Sequence, residues 1–183
     1  MKYLKYMMLA AAMVLTIVAC KEKKDTNRPV LSIQSESEEV DTTAYGKCFG
    51  AAMNSLMLIT DSGDTIAYML ETNDERADVQ GGLFEGDKLA ILANEVDGTM
   101  RATKVINLTT LLGKWTNVAK NFDIKDGGVV ESHVSAESKP YTSWKIFNGR
   151  LVLSTDTFDV VNLGPDSLYL ENKDGIFAFK RQQ

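Results

Sequence analysis

Short apolar runs, each closed by a turn signal, fill this chain from Tyr45 to its C-terminus. Runs of about four to eight residues bounded by glycine, asparagine and aspartate are typical of β-strands, whereas helices need longer stretches with a period of about 3.6 residues. Because the turn segments are short, neighbouring strands are expected to run antiparallel. The pattern predicts an all-β, mainly antiparallel protein with very little helix.

The first group of predicted strands lies within residues 44–108. Its members span residues 45–51, 55–61, 64–70, 87–93 and 101–107. Between the third and fourth strands, Asn73 or Asp74 can cap a short helix that Gly81 would end. Three strands, a helix and two strands is the order of an OB-fold barrel. We therefore expect residues 44–108 to form an OB-like β-barrel.

The second and third predicted strands are the part of an OB-fold that commonly binds oligonucleotides or oligosaccharides. Here they carry Tyr68 as their one aromatic residue and contain no arginine or lysine. Core packing and an interdomain contact therefore explain these strands better than a ligand face does. Met53, Met57 and Met69 are expected to fill irregular core space, and an adaptable protein-protein contact is the alternative.

The clearest hairpin of the chain lies at residues 141–154, around Asn148-Gly149. Asparagine followed by glycine favours a two-residue type I′ turn, which pairs Phe147 with Arg150 and fixes the register of both strands. One face of the hairpin is then apolar and is expected in the core: Trp144, Ile146, Leu151 and Leu153. Strands at residues 157–163, 167–172 and 176–180 follow, so the C-terminal part is predicted to be an antiparallel meander.

Five short motifs in the second half of the chain carry a family resemblance. They are Gly-x-Trp at residues 113–115, Thr-Ser-Trp-Lys at 142–145, Leu-Val-Leu-Ser at 151–154, Ser-Leu-Tyr-Leu at 167–170 and Phe-Ala-Phe-Lys at 177–180. This layout is similar to the lipocalin-like domains of Gram-negative cell-envelope lipoproteins. The resemblance implies that residues 111–183 form a shortened lipocalin-like barrel, with Trp115 packed across its closed end.

The family's usual ligand is a small hydrophobic molecule held inside the barrel. Residues 111–183 provide only very short strands, and a shortened eight-stranded barrel favours an interior filled by side chains. If the barrel does bind a small apolar molecule or a glycan, its lining is expected to be Trp115, Tyr141, Trp144, Phe158 and Tyr169. The alternative for each of these residues is a place in the core.

The N-terminus resembles a bacterial lipoprotein signal. Lys2 and Lys5 precede an apolar run at residues 6–19, and Ile17-Val18-Ala19 stands directly before Cys20. The resemblance implies that residues 1–19 are a signal peptide, cut before Cys20, whose sulfur then carries a diacylglyceryl group, with fatty acids such as palmitate. Two or three acyl chains hold a protein on a membrane essentially permanently, because each buried CH2 adds about 0.8 kcal/mol.

Residues 20–43 are charged and rich in serine and glutamate, so we expect a flexible tether between the lipid and the first barrel. The expected location is the cell envelope of a Gram-negative bacterium, lipid-anchored at the outer membrane, on its periplasmic or its surface face. The partners expected are the membrane, through the lipidated N-terminus, and another envelope protein.

Composition and missing motifs narrow the function further. The chain has a formal charge of −5, and removal of Lys2 and Lys5 with the signal lowers it to −7, so nucleic acid is not an expected partner. Cys48 is the one cysteine besides Cys20, and His133 is the one histidine. A small buried thiol is the expected role of Cys48, and a solvent-facing position is expected for His133. We find no metal-binding or phosphate-binding motif and no nucleophile beside a base.

The sequence therefore predicts no enzyme, no cofactor, no metal and no catalytic residue. It predicts a membrane-anchored envelope lipoprotein that mediates protein interaction or accessory binding. The alternative is a carrier of a small apolar molecule or glycan in the lipocalin-like domain.

Overall fold

The computed structural model describes residues 39–71, 75–134 and 138–182. The predicted signal peptide, Cys20 and residues 20–38 of the predicted tether lie outside the described residues. Glu39–Gln183 form one compact unit. Its described part contains fourteen strands in two antiparallel, barrel-like sheets, which confirms the predicted all-β fold class.

The first sheet is built from the first six strands of the chain. They are β1 Ala44–Ala51, β2 Ser55–Thr60, β3 Thr65–Met69, β4 Asp78–Gln80, β5 Lys88–Val96 and β6 Thr99–Asn107. The strand order is β3-β2-β1-β5-β6-β4, in which β4 and β6 run parallel and the other neighbours run antiparallel. A further parallel pairing, Met69 opposite Arg101, joins β3 to β6 and closes the sheet.

The helix predicted before Gly81 is wrong for its described part. Residues 75–81 contain no helix, and Asp78–Gln80 instead form β4, which pairs with β6; Asn73 and Asp74 lie outside the described residues. Ala77 is buried and Val79 half-buried, a spacing of two that suits a strand lying on one side of a core. The open edge of β6 supplies hydrogen-bond partners that an isolated helical turn would lack.

The second sheet is built from the last eight strands. They are β7 Gly113–Thr116, β8 Asn121–Lys125, β9 Val129–Ser132, β10 Trp144–Phe147, β11 Arg150–Leu153, β12 Asp156–Leu163, β13 Ser167–Asn172 and β14 Gly175–Arg181. Their order is β10-β11-β12-β13-β14-β7-β8-β9. Val129 pairs with Ser143, and the Val130 amide donates to the Thr142 carbonyl (3.1 Å), so the two ends of the sheet meet.

The predicted hairpin is confirmed in turn type and register. Asn148 and Gly149 both have positive φ angles, 46° and 72°, as a type I′ turn requires. The pairs across the hairpin are those expected: Trp144 with Leu153, Ile146 with Leu151, and Phe147 with Arg150. Of the four residues expected in the core, Ile146, Leu151 and Leu153 are buried and Trp144 is half-buried.

A short helix that the sequence did not predict, α1 (Leu108–Leu111), joins the two sheets. Asn107 caps it, because its Oδ1 accepts a hydrogen bond from the Thr110 amide (2.9 Å). The same side chain donates from Nδ2 to the Gly82 carbonyl (3.1 Å) and to the Asp87 carboxylate (2.6 Å). Asn107 itself is completely buried, and its three partners belong to half-buried residues.

Two apolar cores lie inside the sheets. One is formed by residues of the first sheet; the other fills the second sheet and also includes Ala90, Ile106 and Leu108. Polar contacts join the sheets too: Lys104 Nζ donates to the Val160 carbonyl (3.2 Å), and the Leu163 amide donates to Gln80 Oε1 (2.9 Å). The division into separate domains at residues 44–108 and 111–183 stays a prediction.

Candidate functional site

Trp115 lies at the centre of the second core. It is fully buried, and its Nε1 donates to the Leu111 carbonyl (2.8 Å). The Arg181 guanidinium stacks on the Trp115 ring, 4.2 Å from the ring centroid. It also donates hydrogen bonds to the carbonyls of Thr110, Leu112 and Pro165. Arg181 is the structural residue that sequence reasoning missed, because its place opposite Trp115 depends on the pairing of the last strand with β7.

The interior of the second sheet is filled by aromatic rings. Edge-to-face contacts link Phe122 with Tyr141 (5.4 Å between centroids), Phe122 with Phe179 (5.2 Å), Tyr141 with Phe158 (6.4 Å) and Phe158 with Phe177 (5.9 Å). Side chains in mutual contact occupy this part of the interior. The ring contacts are consistent with the filled interior expected from the short strands, which stays a prediction.

The five residues predicted as a ligand lining occupy different environments. Trp115, Tyr141 and Phe158 are buried in the core, and of these the structure brings Tyr141 and Phe158 into ring contact. Trp144 is half-buried and donates from Nε1 to the Lys125 carbonyl (2.6 Å). Tyr169 is exposed on the outside of β13, between two buried leucines. Their role as a lining stays a prediction.

The outer surface of β1, β2 and β3, together with the β1–β2 connection that holds Met53, exposes large apolar side chains. We call it the methionine face and define it by five residues, which are between 37% and 82% exposed: Phe49, Met53, Met57, Ile59 and Met69. The alternate positions Leu56, Leu58 and Tyr68 point inward and are at most 1% exposed. The expectation that the three methionines fill core space is therefore wrong, because all three are exposed, and the alternative of a protein contact stays a prediction.

The strand register makes the methionine face continuous. Met57 lies opposite Gly50 on β1 and Ala67 on β3, two small residues that leave its thioether uncovered. Met69 is the diagonal neighbour of Met57, within reach of a long side chain. Ile59 continues the row along β2, opposite Lys47. Lys47 is the one charged residue among the outward-facing positions of these three strands, all of which are described.

Cys48 and His133 lie in different sheets and differ in their exposure to solvent. Cys48 is 2% exposed in the first core, and burial raises the pKa of its thiol, with Asp87 and Glu85 adding to the rise. The thiol is therefore protonated at neutral pH. His133 follows β9 of the other sheet and is exposed. The buried thiol and the solvent-facing histidine are thus confirmed. That the protein is not an enzyme stays a prediction.

Neither metal ligands nor membrane spans are present in the part of the chain that the structure describes. Within residues 39–71, 75–134 and 138–182, no three His, Cys, Asp or Glu side chains come together as they would around a metal ion. In the same ranges, no helix has the length and apolar character needed to cross a bilayer.

Comparison with known families addresses the second sheet. Residues 107–182 match the family model described as lipocalin-like, a range that runs from the Asn107 cap to the end of the last strand. This part of the chain is similar to lipocalin-like domains. No curated protein and no solved structure matches the chain. The match confirms the resemblance carried by the Gly-x-Trp motif, and it is consistent with a binding function.

Proposed function

We propose that this protein is a non-catalytic lipoprotein, anchored in the outer membrane of a Gram-negative bacterium, that binds another envelope protein through the methionine face. The observation that carries the proposal is the row of large exposed apolar side chains on three adjacent strands. Contiguous exposed apolar surface marks interaction sites in soluble domains. Methionine is flexible and polarisable, and it adapts to an apolar partner surface.

The first sheet is, in this proposal, an OB-like barrel. Its support is the connection order: β1, β2 and β3 form a meander, β5 and β6 form a second antiparallel pair, and the β3–β6 contact closes the sheet. β4 takes the place of the expected helix. The face that OB-folds commonly use for ligands is here apolar, which favours a protein partner over an oligonucleotide.

Anchoring is proposed at Cys20. The first described residues are attached to the folded unit: the Thr42 amide donates to Asn148 Oδ1 (2.9 Å), and the Asn148 amide donates to Asp41 Oδ1 (3.0 Å). A tether that begins at a lipidated Cys20 would therefore join the fold beside the β10–β11 turn.

The Cys20→Ser variant is expected to lose its fatty acid. When the protein is expressed in its host with a clickable palmitate analogue, the wild type should be labelled and should sediment with membranes. Cys20→Ser should carry no label and should accumulate uncleaved or in the soluble fraction, because the acceptor sulfur is gone. Cys48→Ser is the matched control and should keep the label. Label retained in Cys20→Ser would contradict the anchor.

Charges placed on the methionine face are expected to abolish partner binding. In the double variant Met57→Asp/Met69→Asp, each carboxylate must lose its hydration when the partner binds, so affinity should fall at least about thirty-fold. The readout is the amount of the specific partner recovered with tagged full-length protein from host envelopes. Val161→Asp/Ile176→Asp, on the outside of the second sheet, is the matched control, since both residues are exposed there. Equal loss in both double variants would count against the methionine face.

A carrier function of the lipocalin-like domain is the second proposal, and the family match favours it. Native mass spectrometry of the protein starting after Cys20, purified from its host, tests it. A stoichiometric small molecule released on unfolding would assign the carrier role to this domain. A protein without bound small molecules would exclude the role and leave the outer surfaces as the binding sites.

A further inference from the structure

A groove of about 310 Å3 opens in the first sheet at the point where one edge of β6 changes its pairing from β3 to β4. β3 pairs with β6 at Arg101, and β4 pairs with β6 from Lys104 onward. No strand pairing is present on this edge of β6 at Ala102 and Thr103, as far as the described residues show. Both residues line the groove. It shares only Met69 with the methionine face, so it is a separate feature.

Two arginines line this groove and have no partner within it. Arg76 is exposed and Arg101 is half-buried. Neither guanidinium makes a hydrogen bond or an ion pair with a residue of the described ranges. The other two described arginines differ, since Arg150 pairs with Asp159 and Arg181 is bound to three carbonyls. The groove therefore holds two guanidinium groups that have no hydrogen-bond or ion-pair partner among the described residues.

The remaining walls of the groove are mostly apolar. Leu70, Ala77 and Ala102 are buried along it, and Val96 and Met69 stand at its rim. One carboxylate, Glu75, also borders the groove, so the positive charge still prevails. A guanidinium binds a carboxylate with paired, charge-assisted hydrogen bonds, and the apolar walls suit a neighbouring hydrocarbon side chain. The volume is at the lower limit of ligand pockets, which fits a small terminal group better than a long lipid chain.

We propose that this groove binds the C-terminal carboxylate of a peptide chain whose last side chain is apolar. Arg101 and Arg76 hold the carboxylate, and the last side chain lies against Leu70, Ala77 and Ala102. The residue before it lies beside Ala102 and Thr103, the two positions of β6 that have no strand partner on this edge among the described residues. The proposal does not depend on the methionine face.

The test titrates the full mature chain, with 15N-labelled arginine, with a pool of hexapeptides that are random at the first five positions and end in leucine, valine or phenylalanine. The Nε–H signals of Arg76 and Arg101 should shift and saturate, while those of Arg150 and Arg181 should stay in place. The same pool with C-terminal amides should bind at least about tenfold more weakly, because a hydrogen-bonded charge is lost.

Two variants make the test specific. Arg101→Gln should weaken binding of the free-acid pool at least about tenfold, and Arg150→Gln, on the second sheet, should leave it within about twofold. Three results would each overturn the proposal: no saturable shift with the free acids, equal binding of acids and amides, or unchanged affinity in Arg101→Gln. N-acetyl-leucine binding as tightly as the peptides would overturn the peptide assignment, because a free carboxylate would then suffice.

Discussion

The Trp115→Ala variant is expected to lose about 3–5 kcal/mol of the free energy of unfolding. Trp115 is fully buried, so truncation leaves a cavity the size of an indole in the second core. The Leu111 carbonyl loses its donor, and Arg181 loses the ring on which its guanidinium stacks. A shift of Arg181 would weaken further contacts, because its guanidinium also donates to the Thr110 and Leu112 carbonyls at the end of α1 and to the Pro165 carbonyl in the β12–β13 turn.

Chemical denaturation of Trp115→Ala against wild type measures this loss, with circular dichroism as the signal. Tyr169→Ala is the matched control: it also removes an aromatic ring of the second sheet, but one that is exposed on the outer surface. The control should cost less than about 1 kcal/mol. A loss in Trp115→Ala no larger than in Tyr169→Ala would show that Trp115 does not support the core.

Asn107→Ala is expected to lose about 2–4 kcal/mol of the free energy of unfolding. The side chain caps α1 and also donates to the Gly82 carbonyl and the Asp87 carboxylate. Alanine removes the hydrogen-bond partner of these two groups and of the Thr110 amide, and it leaves a gap at a fully buried position. Because α1 connects the two sheets, the damage should affect both.

Thermal unfolding of Asn107→Ala should show a melting temperature lower by about 5–12 °C. Asn162→Ala is the matched control, since Asn162 is exposed and its side chain donates one hydrogen bond, to Ser167 Oγ. That variant should melt within about 2 °C of wild type. A melting temperature of Asn107→Ala within the same margin would contradict the role assigned to the buried amide.

Local signals made the hairpin at residues 141–154 predictable. Asn148-Gly149 fixes the turn by its backbone preferences alone, and the turn fixes the register of both strands without help from distant residues. The Gly-x-Trp motif similarly placed Trp115 in the second core. The all-β fold class followed from the same kind of short-range evidence.

The methionine face could not be predicted from the alternation of apolar and polar residues along the strands. In β2, Leu56, Met57, Leu58 and Ile59 are all apolar, so a period of two cannot distinguish the inner from the outer face. The structure resolves this through the pairing of β2 with β1 and β3, which buries both leucines and exposes Met57 and Ile59. Long-range pairing also explains the missed strand β4 and the unforeseen contact of Arg181 with Trp115.

Site-directed photo-crosslinking in host cells tests the proposed function most directly. A photoreactive phenylalanine analogue replaces Phe49 on the methionine face in one strain and Ile176 on the outside of the second sheet in another. Both positions are more than half exposed, at 53% and 61%. We predict a discrete adduct with another envelope protein at position 49, absent when Met57→Asp/Met69→Asp is added, and no such adduct at position 176. An adduct at position 176 alone, or none at position 49, would contradict binding through the methionine face.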